Sequence, residues 1–236
     1  NNTLLPIIVK NLSYPKGNKI LLNNISCDIY SFGISVILGP NGSGKSLFLR
    51  CLHGLAEFDK GKLIYKGIAL NKKIRLEQSM VFQTPIMLRR SVLNNLVFVI
   101  KQRNEYDENK IQIALKRVKL FELKEQPAFF LSGGEKQRLA LARAIITEPK
   151  ILFLDEATSN LDPYSINIIE KLIKEISKNG TKVISITQDI NHARRIADDI
   201  LFFNKGKLCE YTDAKIFFQK PFSKEAKIFL KGNLLV

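Results

Sequence analysis

The sequence predicts an α/β protein in which helices flank a mainly parallel sheet. Four short apolar runs have the composition of buried strands, at residues 34–38, 151–154, 182–187 and 200–203. Helical spacing of apolar residues is found at 46–55 and at 165–177, where Asn179 and Gly180 are expected to end the helix. Uninterrupted apolar strands that alternate with helices are typical of a parallel sheet covered on both faces.

The middle of the chain has a different pattern. Residues 91–124 show almost only helical spacing, are rich in Lys, Asn and Gln, and contain no strong strand. We therefore predict a single domain of residues 1–236, in which residues 1–86 and 149–236 form the α/β core. Residues 87–148 are predicted to form a helical subdomain inserted into that core.

The composition excludes several classes of protein. With 45% hydrophobic and 25% charged residues, the chain is neither disordered, nor collagen-like, nor a disulfide-stabilised mini-protein. A net charge of +15 favours contact with an anion, which could be nucleic acid, a nucleotide or lipid headgroups. Three scattered cysteines indicate a reducing compartment. No segment resembles a targeting signal or a run of about 18 apolar residues that could span a membrane.

A glycine-rich loop follows the first apolar run and fits the phosphate-binding pattern G-x-x-x-x-G-K-[ST]. It consists of Gly39, Pro40, Asn41, Gly42, Ser43, Gly44, Lys45 and Ser46. Its backbone N–H groups and the following helix N-terminus would bind phosphate oxygens, Lys45 would supply a cation, and the Ser46 hydroxyl suits Mg²⁺. The alternative is a glycine-rich turn with a surface lysine, but the position between a predicted strand and a predicted helix favours the phosphate loop.

An acidic pair, Asp155 and Glu156, ends the second apolar run. The carboxyl end of a central strand would place both residues beside the phosphate loop. Asp155 would then suit Mg²⁺, directly or through water, and Glu156 would suit activation of the attacking water as a general base. An Asp-Glu pair that merely opens a surface turn is the alternative.

The segment 131–138, Leu-Ser-Gly-Gly-Glu-Lys-Gln-Arg, resembles the signature motif of ATP-binding cassette ATPases. Ser132, Gly133 and Gly134 at a helix start also make a second phosphate-binding surface on physical grounds. The resemblance implies a Mg-dependent ATPase with a P-loop NTPase core, an N-terminal antiparallel β portion and an inserted helical subdomain. It also implies a head-to-tail homodimer, in which each ATP lies between the phosphate loop of one copy and the signature of the other.

Other residues acquire expected roles from this resemblance. Tyr14 would stack on adenine, with Phe32 as a weaker candidate, and Leu47 would join the nucleotide-binding set. An ordinary aromatic at a strand edge is the alternative for Tyr14. Gln83 would contact Mg²⁺ or the water, and Ser159 and Asp162 would lie at the dimer interface.

One position departs from the family pattern. Gln188 stands where the family has a histidine that contacts the γ-phosphate. An amide can donate a hydrogen bond but carries no positive charge and shuttles no proton. Gln188 could be a working substitute, the site could be slow or regulated, or His192 could reach back by one turn. We favour the substitute, and expect His192 to be a polar face residue near Arg194 and Arg195 and His53 to be structural.

Further segments resemble the ATPase subunit of tungstate importers, which work with a transmembrane permease and a solute-binding protein. The segments are 44–50, 52–55, 78–83, 85–92, 192–199 and 229–232. The resemblance implies a peripheral location at the cytoplasmic face of the membrane. Alternatives are an importer of phosphate or molybdate, an exporter or lipoprotein-release ATPase, and a soluble ATPase that acts on nucleic acid or ribosomes. No RNA-binding aromatic motif is present, so we expect no specific nucleic acid partner.

A groove for the permease is expected just after Gln83. Its lining would include Pro85, Met87, Leu88 and Arg89, with Met87 and Leu88 as exposed apolar contacts and Arg89 and Arg90 at the rim. The alternative is that Met87 and Leu88 only cover the core of the helical insertion.

Overall fold

A computed structural model describes residues 3–103 and 106–232. The strands are β1 (Ile7–Lys16), β2 (Lys19–Ile29), β3 (Ile34–Leu38), β4 (Lys60–Tyr65), β5 (Ile68–Ala69), β6 (Gln78–Val81), β7 (Ile151–Asp155), β8 (Lys182–Ile186), β9 (Asp199–Asn204) and β10 (Lys207–Asp213). The α-helices are α1 (Lys45–His53), α2 (Lys72–Leu76), α3 (Val92–Lys101), α4 (Glu108–Arg117), α5 (Gly133–Ile145), α6 (Pro163–Lys178), α7 (Ile190–Ile196), α8 (Ala214–Gln219) and α9 (Lys224–Leu230).

Two sheets form the framework. The larger has the strand order β10-β9-β3-β8-β7-β6, and all its neighbours are parallel except β10 and β9. The smaller has the order β2-β1-β4-β5 and is antiparallel throughout. The predicted α/β class, the mainly parallel sheet and the antiparallel N-terminal portion are therefore confirmed.

The large sheet separates two apolar cores because its side chains alternate between its faces. Val36 and Leu154 pack with the helices of one core. Ile37 and Phe153, each one residue away, pack with the small sheet and α1 in the other core. Strands buried on both faces need apolar residues at every position, which explains the continuous runs in the sequence.

The helix after the phosphate loop is shorter than predicted. We expected residues 46–55, but α1 ends at His53 because Gly54 adopts a left-handed conformation with φ of 84°. Leu55, which fits the helical spacing, lies beyond this cap and is exposed. The helix predicted at 165–177 is found as α6, which Asp162 caps at its start and Asn179 at its end.

In the described part of the chain, every strand lies outside residues 87–148. That segment contains α3, α4, α5 and two short 3₁₀ turns, Phe121–Leu123 and Ala128–Phe130. The helical spacing of residues 91–124 thus corresponds to two helices and one of these turns. No helix among the described residues is both long and apolar enough to cross a membrane.

Candidate active site

Four adjacent parallel strands end at one edge of the large sheet. The residues predicted to bind and hydrolyse ATP follow these strand ends. The phosphate loop follows β3, Gln188 follows β8, the acidic pair ends β7, and Gln83 follows β6. Because parallel strands share their carboxyl edge, residues that are up to 149 positions apart in sequence become neighbours.

The phosphate loop needs glycine at specific positions. Gly39, Gly42 and Gly44 have φ of 149°, 74° and 99°, in the range that favours glycine. A Cβ on Gly39 would overlap the Phe203 carbonyl oxygen, and one on Gly44 would lie 2.8 Å from Leu22 Cδ2. The loop therefore fits tightly between β2 and the end of β9, with its tip, Asn41 and Gly42, exposed.

Lys45 is held inside this loop by its own backbone. Its Nζ donates hydrogen bonds of 2.8 Å to the carbonyl oxygens of Gly39 and Pro40. Burial lowers the pKa of Lys45, and the nearby charges of Glu156 and Asp155 oppose that effect. These contacts hold the ammonium group inside the loop.

Ser46 and Asp155 form an oxygen-rich pair. Ser46 Oγ donates a hydrogen bond of 2.7 Å to Asp155 Oδ1, and Arg50 Nη2 lies 3.8 Å from Asp155 Oδ2. Burial raises the pKa of Asp155, while Ser46 and Arg50 oppose the rise. Hydroxyl and carboxylate oxygens are the donors that Mg²⁺ prefers, so this pair fits the ion.

Glu156 is clamped by two amide groups. Gln83 Nε2 donates to its Oε2 at 2.9 Å, and Gln188 Nε2 donates to its Oε1. Glu156 has a φ of 50°, so the chain turns sharply as it leaves β7. Gln83, Glu156 and Gln188 line a cavity of about 290 Å³, together with Ser159 and His192.

The two aromatic candidates belong to different parts of the fold, since Tyr14 lies in β1 and Phe32 just before β3. Tyr14 pairs with Leu22, whose side chain adjoins Gly44 of the phosphate loop, and its ring is half-buried. Phe32 precedes β3, whereas the loop follows β3, so the strand itself separates Phe32 from the phosphate site. Tyr14 is thus the better placed of the two, and stacking on adenine stays a prediction for both.

The signature residues begin α5. Ser132 and Glu135 form a capping box: Ser132 Oγ accepts from Glu135 N at 3.3 Å, and Glu135 Oε2 accepts from Ser132 N at 2.8 Å. Ser132 and Gly133 are exposed, and Gly134 is buried. Among the described residues, no hydrogen bond joins these three residues to the phosphate loop.

Gly134 packs directly against the start of α6. A Cβ there would lie 2.8 Å from Asp162 Oδ2 and would overlap Ser165 Oγ. Asp162 Oδ1 accepts a hydrogen bond of 2.9 Å from Ser165 N as the cap of α6, and these bonds lower the pKa of Asp162. Ser159 Oγ in turn donates to the Glu156 carbonyl oxygen at 2.9 Å.

We expect Gly134→Ala to destabilise the protein by about 1–3 kcal/mol, because the methyl group must displace the α6 cap. Gly133→Ala is the matched control, since nothing lies within 4 Å of a Cβ at that position. Urea unfolding of both variants would check this. Equal loss of stability in the two variants would contradict the steric argument.

Two contacts that the sequence did not predict tie α5 to residues 82–86. Gln137 Nε2 donates to the Phe82 carbonyl oxygen at 3.1 Å, and Arg143 Nη1 donates to the Ile86 carbonyl oxygen at 2.7 Å. Both side chains donate to backbone carbonyls. Every residue has a backbone carbonyl, so the sequence does not indicate which one is the acceptor. They connect the helix of the signature to the segment that carries Gln83.

Beside that segment lies a groove of about 590 Å³, which differs from the predicted one. Its lining includes Pro85, Ile86, Arg75, Arg103 and Phe98 but not Met87, Leu88 or Arg89. Met87 and Leu88 are half-buried, and Met87 packs on the core of the insertion, so the expectation that both are exposed is wrong. Ile86 is the exposed apolar residue, at 79%.

His192 also differs from the expectation of a polar face residue. It is buried, and its Nδ1 lies 2.9 Å from Glu170 Oε1. Arg195 binds the same carboxylate through Nε and Nη2, at 3.0 and 2.7 Å from Oε1. The second histidine, His53, is half-buried, and its ring meets Phe153 edge-on at 5.7 Å.

Comparison with known proteins identifies the family of this chain. Residues 22–159 match the family described as ABC transporter. The chain is 36% identical to the phosphate import ATP-binding protein PstB of Ehrlichia ruminantium (strain Gardel), over 95% of this chain and 96% of that protein. It is 35% identical to the arginine transport ATP-binding protein ArtM of Bacillus subtilis (strain 168), over 97% and 100%.

A solved structure has a similar fold. The cbiO1 protein of Clostridium perfringens, described as part of the ABC transporter complex cbiONQ, superposes with a TM-score of 0.80 at 29% identity, over 95% of this chain and 94% of that one. The family match covers the phosphate loop, the signature and the acidic pair described above. The chain therefore belongs to the ABC transporter family, as an ATP-binding subunit that hydrolyses ATP.

Proposed function

We propose that two copies of this chain pair head to tail and hydrolyse two ATP molecules at their interface, to power an importer of a small oxyanion. The observation that carries the hydrolytic part is the sheet edge, where Lys45, the Ser46–Asp155 pair and the clamped Glu156 meet. The exposed signature supports the pairing, because Ser132 and Gly133 lie at the solvent-facing start of α5, where a facing copy can reach them.

Each residue has a distinct part in the proposed reaction. Lys45, Leu47 and the loop amides would hold the phosphates, and Tyr14 would stack on adenine. Ser46, Asp155 and Gln83 would hold Mg²⁺, which when bound neutralises charge on the phosphates. Glu156 would accept the proton of the attacking water, and Gln188 would donate an amide hydrogen bond to the γ-phosphate. Ser159 and Asp162 would lie at the dimer interface.

The transported solute is a finer part of the proposal. Several relatives are named phosphate import ATP-binding proteins, such as one from Spiroplasma kunkelii at 38% identity, and another relative is an arginine transporter subunit. The motifs described above resemble tungstate importers instead. Phosphate and tungstate are both tetrahedral oxyanions, so the proposal names that class and lets transport assays choose the member.

The permease would bind in the groove beside residues 82–86. Ile86 and Phe98 offer apolar contact, and Arg75 and Arg103 favour an acidic segment of the partner. Residues 87–148 would move as one unit with that segment. In this proposal the subunit would lie at the cytoplasmic face of the membrane, and a solute-binding protein would engage the permease from the other side.

Ile86→Asp is expected to weaken permease binding by at least about tenfold, because it puts a charge into an apolar contact. Basal ATP turnover of the free subunit should persist. Ile113→Asp, at an exposed isoleucine of α4 outside the groove, is the matched control. Co-purification with the permease measures the effect, and equal binding by both variants would contradict the assignment of the groove.

The whole proposal is tested with this chain purified together with its membrane partner and solute-binding protein. ATP turnover is measured while phosphate, tungstate, molybdate, sulfate or arginine is titrated. Stimulation by an oxyanion supports the proposal, and the one effective at the lowest concentration identifies the solute. Stimulation by arginine alone would overturn the oxyanion class, and ATP turnover that no solute changes would overturn the importer.

A further inference from the structure

The imidazole ring of His192 faces the cavity beside Glu156. His192 lines this cavity together with Gln83, Glu156 and Gln188, although only Gln188 occupies the position where the family has histidine. His192 belongs to the first turn of α7, four residues after Gln188. The sequence therefore keeps an imidazole close to the hydrolytic residues, on the neighbouring helix.

Glu170 fixes which nitrogen of that ring is free. His192 Nδ1 lies 2.9 Å from Glu170 Oε1, and an ionised carboxylate only accepts hydrogen bonds. Nδ1 therefore carries the hydrogen, and Nε2 of the neutral ring keeps its lone pair. Within residues 3–103 and 106–232, Nε2 has no hydrogen-bond partner, and it is not among the fully buried unpaired atoms.

The charges around the ring favour this neutral form. Burial lowers the pKa of His192, and so does Arg195, while Glu170 and Asp189 act in the opposite direction. The net direction is downward, so the ring is neutral at pH 7. Two carboxylates line the cavity, Asp189 and Glu156, and each oxygen of Glu156 accepts one hydrogen bond, from Gln83 or from Gln188.

We propose that His192 Nε2 accepts a hydrogen bond from the water that attacks the γ-phosphate. Glu156 takes the water's proton, and His192 holds the second hydrogen and so orients the attacking lone pair. No bond to His192 forms or breaks. The inference rests on the proposed ATP hydrolysis and deepens it, since the imidazole enters from α7 rather than from position 188.

Two variants separate this role from a structural one. His192→Asn can keep the donor to Glu170 but removes the atom at the position of Nε2. His192→Gln removes that donor but places an amide close to the position of Nε2. We expect His192→Asn to lower turnover by about 10- to 100-fold, the range for one hydrogen bond to a reacting group, with ATP affinity unchanged. His192→Gln should keep most of the turnover and lose stability.

The pH profile gives a second readout. Turnover of the unmodified protein should fall as the pH is lowered through the pKa of His192, which burial holds below the ordinary value of histidine, because protonation removes the acceptor. His192→Gln should lack this loss. Turnover, binding of a fluorescent ATP analogue and urea unfolding are measured for each variant. Equal turnover in the two variants, whether retained or lost, would overturn the proposal. An unmodified protein that binds but never hydrolyses ATP would refute the proposed function itself.

Discussion

Replacing Glu156 by glutamine is expected to lower ATP turnover by about 10²- to 10⁴-fold, the usual contribution of a general base. Its two carboxylate oxygens accept from Gln83 Nε2 and Gln188 Nε2 in the structure. The side chain of glutamine has only one oxygen, so it can accept from only one of the two clamping amides. The other amide must flip and present its oxygen to the new NH₂ group. ATP binding should persist, because Glu156 does not belong to the phosphate loop, and the variant should accumulate as a closed dimer with ATP.

Turnover is measured by phosphate release, and the dimer by gel filtration with Mg·ATP. Glu122→Gln, at an exposed glutamate of the helical insertion, is the control for removal of a negative charge. Wild-type turnover in Glu156→Gln would remove this residue from the role of base. Loss of ATP binding in the same variant would assign it to nucleotide binding instead.

The second large effect is expected at Lys45. Lys45→Ala should abolish measurable turnover and weaken ATP binding by at least about tenfold, because charge-assisted hydrogen bonds to phosphate contribute about 1.5–3 kcal/mol each. Lys45→Arg should fail as well. The site holds a compact ammonium at 2.8 Å from two carbonyl oxygens, and a planar guanidinium does not fit that geometry.

Titration with a fluorescent ATP analogue checks the binding loss, and phosphate release checks the turnover. Lys171→Ala removes an exposed lysine on α6 and controls for the change in net charge. Since Lys45 is buried, urea unfolding should accompany both measurements. Full activity of Lys45→Arg would contradict the geometric argument.

The sequence predicts an element correctly where the residues that determine its structure are contiguous in the chain. The strand–loop–helix of residues 34–53 is such a case, because the apolar run, the glycines and the lysine are contiguous. The capping box of Ser132 and Glu135 is similarly local. The strands of the small sheet lack this property, since their buried apolar residues are interspersed with exposed polar ones and carry a weaker signal.

Contacts between distant residues could not be predicted in the same way. Glu170 and His192 are 22 residues apart, and nothing in either segment indicates that they form a buried pair. The assignment of Met87 to an exposed surface was wrong for a related reason. Spacing alone does not tell which neighbour of Ile86 turns toward the core of the insertion.

The attachment of α5 to residues 82–86 has a mechanical consequence. Gln137 lies near the start of this helix and Arg143 near its end, and each holds one backbone carbonyl of the same segment. The helix has 13 residues and is about 20 Å long, and these hydrogen bonds hold it at two points. Rotation about one of the two points would break the bond at the other. We therefore expect a displacement of the backbone at Ile86 to shift α5 as a whole, together with Ser132 at its start.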